Sequence, residues 1–300
     1  MPHALEKRRR LKALIEADEI LLLPGVGDPL SAWLAQEAGF DAVFVSGAVV
    51  ANWAFRFPDV GLTTFTEMRE RAAAVAATVD LPAFVDADTG YGTAMNVMRT
   101  VSEYARTDAA GIMLEDQVSP KRCGHFEGKR IVPRTEMMEK LVAFRRANAG
   151  HELSLIARTD AIAVADFGEA IERGRAFARA GADLVFVEAP RDESELREIP
   201  RRIDAPLLAN MVEGGKTPLK SADELQKMGY SAVVFPSTAL RAATFAMREA
   251  LGTLRRSGSS EGLSDVLVPW EERQRLVGLD AYAELENAIR EEAERLGEVE

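Results

Sequence analysis

Cysteine is nearly absent from this chain: 300 residues hold one, Cys123, beside three histidines, His3, His125 and His151. A single thiol excludes an intrachain disulfide framework, and one cysteine with three scattered histidines provides no set of zinc ligands at the usual spacing. Positive charge is also in deficit, 37 Lys and Arg against 48 Asp and Glu, for a net −11. Phosphate binding needs a basic face, so nucleic acid is disfavoured as a partner, and so is an anionic membrane surface; a local cationic pocket for a small anion is not. No apolar run approaches the roughly 20 residues of a membrane span. The basic start, Met1 to Arg10, leads into amphipathic Leu11 to Asp18 rather than the apolar block of a signal peptide. Together these absences predict a soluble, cytoplasmic protein. A Gly-x-Gly-x-x-Gly after the first apolar run is missing too, which weighs against an open dinucleotide-binding sheet.

What is present is a 47% hydrophobic composition arranged as short apolar runs alternating with helical patterns, eight times over. The runs are Ile20 to Val26, Ala42 to Ser46, Ala83 to Asp86, Gly111 to Glu115, Leu153 to Ala157, Leu184 to Glu188, Pro206 to Asn210 and Ala232 to Pro236. Near-continuous apolar strands separated by helices imply a parallel sheet covered on its faces. Eight such units predict an α/β fold, a closed (β/α)8 TIM barrel, for which about 250 residues suffice. Glycines in Ala38-Gly39-Phe40-Asp41, Asp108-Ala109-Ala110-Gly111, Ala180-Gly181-Ala182-Asp183 and Met228-Gly229-Tyr230 mark expected helix ends ahead of strands two, four, six and eight. The barrel is expected over 1–256. A Gly/Ser linker at 257–262 separates it from a C-terminal helical extension over 263–300.

Polar residues fall at the ends of the apolar runs: Ser46, Asp86 and Asp88, Glu115 and Asp116, Arg158 and Asp160, Glu188, and Asn210. In a barrel these ends share one rim, the one on which active sites are built. Polar strand ends are common because loops begin there, which accounts for one or two acids but poorly for the whole set. Asp86 and Asp88 alternate at one strand end, and Glu115 ends the next strand, so the three could share one cation. An all-oxygen set suits a hard ion that keeps its waters, Mg2+ with Mn2+ as a substitute, better than Ca2+ or zinc. Cys123 sits in Lys121-Arg122-Cys123-Gly124-His125, eight residues past Glu115. A lone cysteine is usually a packed structural one, but this polar, glycine-containing setting fits a reactive thiol, either thiolate or poised proton donor.

With these motifs in view the chain resembles the isocitrate lyase and phosphoenolpyruvate mutase superfamily. The resemblance rests on Ser46-Gly47, Pro58-Asp59, Asp86 to Gly92, Glu115-Asp116-Gln117, Lys121 to His125, Ala157 to Asp160, Glu188-Ala189 and Asn210-Met211, spanning about Leu21 to Arg241. The cysteine motif points to the lyase branch. The resemblance implies cleavage of the C2–C3 bond of a 2-hydroxycarboxylate, with Mg2+ on Asp86 and, through water, on Asp88 and Glu115. It implies Arg158 as partner of the substrate carboxylate or enolate, and Cys123 as proton donor tuned by Lys121 and His125. Ser46, Gly47, Gly124, Glu188, Asn210 and Arg241 become candidate substrate contacts, with Asp59 supporting.

The chain reads Val212-Glu213-Gly214-Gly215 where 2-methylisocitrate lyases typically carry Thr-Glu-Phe-Gly, and this resembles dimethylmalate-type enzymes with two-carboxylate substrates. Trp53, Phe55 and Phe57 are expected to pack, and Arg56 is either a solvated charge or an anion contact. Two further readings stay open: oxaloacetate hydrolysis or decarboxylation, and a non-catalytic carboxylate-binding scaffold. The resemblance also implies a homotetramer in which the C-terminal helix is swapped between subunits.

Overall fold

The computed structural model describes residues 2–297; Met1 and residues 298–300, the end of the expected extension, lie outside the described residues. The chain begins with α1 (Pro2–Glu16) and β1 (Leu21–Val26), then α2 (Pro29–Glu37), β2 (Val43–Val45), α3 (Gly47–Phe55), α4 (Phe65–Thr78) and β3 (Ala83–Asp86). It continues through α5 (Ala94–Ala105), β4 (Gly111–Glu115), α6 (Arg134–Ala147), β5 (Ser154–Thr159), α7 (Ala161–Val164) and α8 (Phe167–Arg179). β6 (Leu184–Val187), α9 (Glu193–Arg202), β7 (Leu207–Asn210), α10 (Ala222–Met228) and β8 (Ala232–Phe235) complete a closed parallel barrel in sequence order. The expected TIM barrel is therefore the observed architecture.

Local chemistry explains the element ends. Thr64 and Glu67 cap α4 reciprocally, as Ser221 and Glu224 cap α10, satisfying amide N–H groups that a first helical turn leaves free. Gly39 and Gly181 sit at φ +85 and +90, a left-handed turn a side chain resists, and so stop α2 and α8 just before strands. Gly111 is different from the expected helix end: it opens β4, and a Cβ there would lie 2.4 Å from the Phe84 ring.

Two cores follow from the period-two alternation of strand side chains. One joins the outer strand faces to the helices, through residues such as Val45, Val85, Leu114, Leu155 and Val233. The other fills the barrel interior with Leu21, Leu23, Phe44, Phe84, Met113, Ile156, Phe186, Leu208 and Val234, joined by Leu11 and Ile15 of α1. α1 thus plugs the N-terminal end of the barrel. Its basic residues serve that role: buried Arg8 donates to the carbonyls of Ala105, Thr107, Ala109 and His151. Lys7, also buried, donates to the carbonyls of Ala76 and Val79, where α4 ends.

Contacts divide the chain into two compact units, Met1–Arg241 and Ala242–Glu300. The boundary falls inside α11 (Thr238–Ser257), ahead of the linker seen in the sequence. In the second unit, α12 (Trp270–Leu276) and α13 (Leu279–Gly297) are the helices expected of the tail. Among the described residues, no helix is long and apolar enough to cross a membrane.

Candidate active site

Two residues beyond the uppermost apolar side chain of six of the eight strands, the same inward-facing position carries polarity: Ser46 above Phe44, Asp86 above Phe84, Glu115 above Met113, Arg158 above Ile156, Glu188 above Phe186 and Asn210 above Leu208. A cavity of about 110 Å³ opens here at the C-terminal rim. Ser46, Asp59, Asp86, Lys121, Arg122, Cys123, Gly124, His125, Arg158 and Asn210 line it over a floor that includes Phe44, Met113, Phe186, Leu208 and Val234. Gly47, Asp88, Glu115 and Glu188 stand immediately behind, in contact with lining residues.

Ser46 is the N-cap of α3, so the start of that helix, with its free N–H groups and partial positive charge, opens beside the cavity. The Gly47 N–H donates to Asp86 Oδ2 at 3.2 Å, and the Asp88 N–H donates to Asp86 Oδ1 at 3.1 Å. Burial, then the neighbouring Asp88 charge, raise the Asp86 pKa to about 6 despite Lys121. Lys121 Nζ lies 2.6 Å from Asp59 and 2.9 Å from Asp88. Burial alone would lower its pKa, but Asp88, Asp59, Asp86 and Glu115 outweigh that and keep it a cation.

Arg158 is buried and held by Asp160 through Nε at 2.8 Å and Nη2 at 3.1 Å. Glu115 lies 3.4 Å and Glu188 3.7 Å from the same guanidinium, which stacks 5.2 Å above the Phe186 ring centroid. Glu115 is raised well above the usual carboxylate range, chiefly by burial. Cys123 lies on the loop between β4 and α6, its N–H donating to the Asp59 carbonyl at 3.1 Å. Burial raises its thiol pKa above the ordinary value, which favours the thiol over the thiolate. His125 is held below its ordinary pKa, mainly by burial, which favours its neutral form. Its Nδ1 accepts the Lys216 N–H at 3.1 Å, which leaves the proton on Nε2, 3.5 Å from Glu188. Gly124 permits this closeness of loop and rim: a Cβ there would lie 2.5 Å from the Glu188 carboxylate.

Arg241 lies apart from these. Its guanidinium is 55% exposed, outside the cavity lining, and donates to the Glu213 carbonyl and carboxylate. Trp53 and Phe57 are partly exposed, Phe55 stacks on Phe57 at 5.6 Å, and Arg56 ends α3 in a left-handed turn outside the lining. The three carboxylates expected to share a cation are not gathered into one cage: Asp88 turns to Lys121 and Glu115 to Arg158, and no group of three acid, His or Cys side chains converges on a metal position among the described residues. The donor chemistry still fits a hard cation. Asp86 lines the cavity with a carboxylate whose hydrogen bonds come from backbone N–H groups alone, and Glu115 Oε1 is a buried oxygen without a donor. One carboxylate completed by water and substrate oxygens is a usual arrangement for Mg2+.

Sequence reasoning missed Lys129, whose buried side chain reaches Asp160 at 2.9 Å and the Gly124 carbonyl. It also left Asp116 without a role: that carboxylate accepts from Thr159 Oγ1, the Asp160 N–H and Arg173, and so fixes the turn after β5.

The model of the family described as phosphoenolpyruvate phosphomutase matches residues 11–255. The chain belongs to this family. It is 44% identical over 279 residues to a probable 2-methylisocitrate lyase of Corynebacterium glutamicum, covering 93% of this chain and 90% of that protein. The crystal structure of a 2,3-dimethylmalate lyase, 36% identical, superposes with a TM-score of 0.89 over 96% of this chain and 95% of its own. That of an oxaloacetate acetylhydrolase bound to 3,3-difluorooxalacetate, 35% identical, also gives 0.89, over 94% and 97%. The chain is thus a carbon–carbon lyase of the isocitrate lyase and phosphoenolpyruvate mutase superfamily, as its motifs implied.

Proposed function

We propose that this lyase cleaves the C2–C3 bond of a 2-hydroxy di- or tricarboxylate of the 2-methylisocitrate or 2,3-dimethylmalate type. The 2-hydroxyl loses its proton and becomes the carbonyl of a 2-oxoacid such as pyruvate, and C3 leaves as the enolate of a second carboxylate, which a returned proton converts to product. The observation that carries the reading is that Cys123, whose thiol burial pushes toward the protonated form, lines the same small cavity as the buried Arg158 guanidinium. Arg158 is suited to pair with a substrate carboxylate and with the enolate that forms as the bond breaks, by charge-assisted hydrogen bonds in a site screened from water. The Ser46 hydroxyl and the opening turn of α3 hold the oxoacid half. Cys123 then donates its proton to the enolate carbon, and the loop that carries it keeps water from protonating that carbon first. Neutral His125 steadies that loop against the segment after β7 through the Lys216 N–H. Asp86, with Asp88 and Glu115 through water, would hold Mg2+ or Mn2+. The cation supplies charge stabilisation to substrate oxygens that become negative. Val212 lines the cavity and offers no hydrogen-bond donor from its side chain, which supports a substrate with two carboxylates over one with three.

The test is product analysis, with Mg2+ present or chelated, on 2-methylisocitrate, isocitrate, 2,3-dimethylmalate and oxaloacetate, beside Cys123→Ser. Release of a 2-oxoacid with a second carboxylate, pyruvate from 2-methylisocitrate or 2,3-dimethylmalate or glyoxylate from isocitrate, reduced at least about 100-fold in the variant, is the expected result. The likeness to oxaloacetate acetylhydrolase favours a second reading, oxaloacetate cleavage, for which hydrolysis with water would give oxalate and acetate, and decarboxylation would give pyruvate and carbon dioxide. Silence on the whole panel would sink both and point to a substrate outside it or to a carboxylate-binding scaffold. We further infer a cytoplasmic homotetramer joined through the C-terminal unit, whose α13 exposes Tyr282, Leu285, Ile289 and Leu296 at helical spacing.

A further inference from the structure

Lys129 is a buried lysine outside the cavity lining, and nothing in the reaction uses it directly. A buried ammonium is retained only where it is fully paired, and here it joins two different parts of the site. One contact is the carbonyl of Gly124, the residue after Cys123. The other is Asp160 Oδ1 at 2.9 Å. Asp160 in turn grips Arg158 through both oxygens, and its own N–H is pinned by Asp116 at 2.9 Å. A single carboxylate therefore bridges the cysteine loop and the arginine. The rest of the loop is fixed at other points: Gln117 brackets the N–H and carbonyl of Arg122, and Lys121 is anchored on Asp59 and Asp88. Within the segment from Cys123 to Gly128, the Cys123 N–H meets the Asp59 carbonyl, and His125 and Glu127 meet Lys216; Lys129 adds the tie to Asp160 at the end of β5.

We propose that Lys129 is a positioning residue. It sets the Cys123 loop over the cavity through the Gly124 carbonyl and fixes Arg158 through Asp160, holding proton donor and anion-binding group in one register. The catalytic half of this proposal rests on the lyase reading of Cys123 and Arg158; the loop half does not.

The single cysteine makes a direct test possible, because the rate of thiol labelling by a charged aromatic disulfide reports Cys123 alone. In folded Lys129→Met, labelling is expected to rise about tenfold or more while kcat on the substrate that the parent cleaves falls about 100-fold, with a much smaller rise in KM. Lys129→Arg is expected to restore most of both, which a loss of overall stability would not follow. Unchanged labelling and kcat in folded Lys129→Met would overturn the proposal, as would an Arg variant no better than Met. If Lys129→Met fails to fold, Lys129→Gln, which lacks the charge on Asp160, is labelled instead: acceleration supports the role and a parental rate overturns it. Faster labelling in a variant whose parent is inactive on every substrate supports the loop role and counts against the lyase reading alone.

Discussion

At the scale of the residue, Asp86 combines burial with the neighbouring charge of Asp88, and both favour its protonated form up to a pKa of about 6. The sign of the consequence is fixed. The folded pKa lies above the unfolded one, so in cation-free protein this group contributes stability at low pH that is lost as pH rises through about 6. A divalent cation competes with that proton, so Mg2+ binding should weaken by about tenfold per pH unit below 6 and level off above it. Calorimetric titration from pH 5 to 7.5 measures this, and Asp86→Asn is expected to abolish the binding; a flat affinity over that range would remove Asp86 from the cation site. Much of this chemistry was legible in the sequence. Ser46, Asp86, Glu115, Arg158, Glu188 and Asn210 simply continue the period-two alternation of the barrel interior beyond its last apolar layer. Lys129 was not legible, because its meaning lies in Asp160, 31 residues away and just past the end of β5. The capture of Arg241 by Glu213 was hidden for the same reason, since pairing of exposed charges across loops leaves no periodic trace.

At the scale of the element, α1 shows how a basic segment can be structural. Its charges follow no motif, yet Arg8 satisfies four carbonyls left by α5, the turn after it and the loop before β5. Removing a buried guanidinium leaves those carbonyls dry, so Arg8→Met is expected to cost about 3 kcal/mol, with little change in KM because the site lies at the opposite rim. Urea unfolding measures it; a loss below about 0.5 kcal/mol would mean that water replaces the arginine. The strands were readable because a parallel barrel buries both faces and so writes unbroken apolar runs. The short helices α2, α3 and α7 were not, since nine or fewer residues hold too few turns for a pattern, and their caps, such as Asp28 with Ser31, are local pairs that turns also use.

At the scale of the whole molecule, the second unit carries Phe245, Leu251, Trp270, Tyr282 and Ile289 more than half exposed. Large apolar side chains in that number favour association, and if the proposed tetramer forms through them, truncation after Arg256 is expected to give a smaller species in light scattering. An unchanged mass would rule out the tail as the joining element. The barrel itself has a different large-scale consequence. Leu11 and Ile15 close the N-terminal end beneath an interior packed with side chains, so among the described residues of the barrel the cavity has one door, at the C-terminal rim, and no corridor. Substrate and both products must use that door in turn. Whichever fragment sits deeper cannot leave until the other has gone, which makes release ordered and makes the deeper product the one that competes directly with fresh substrate.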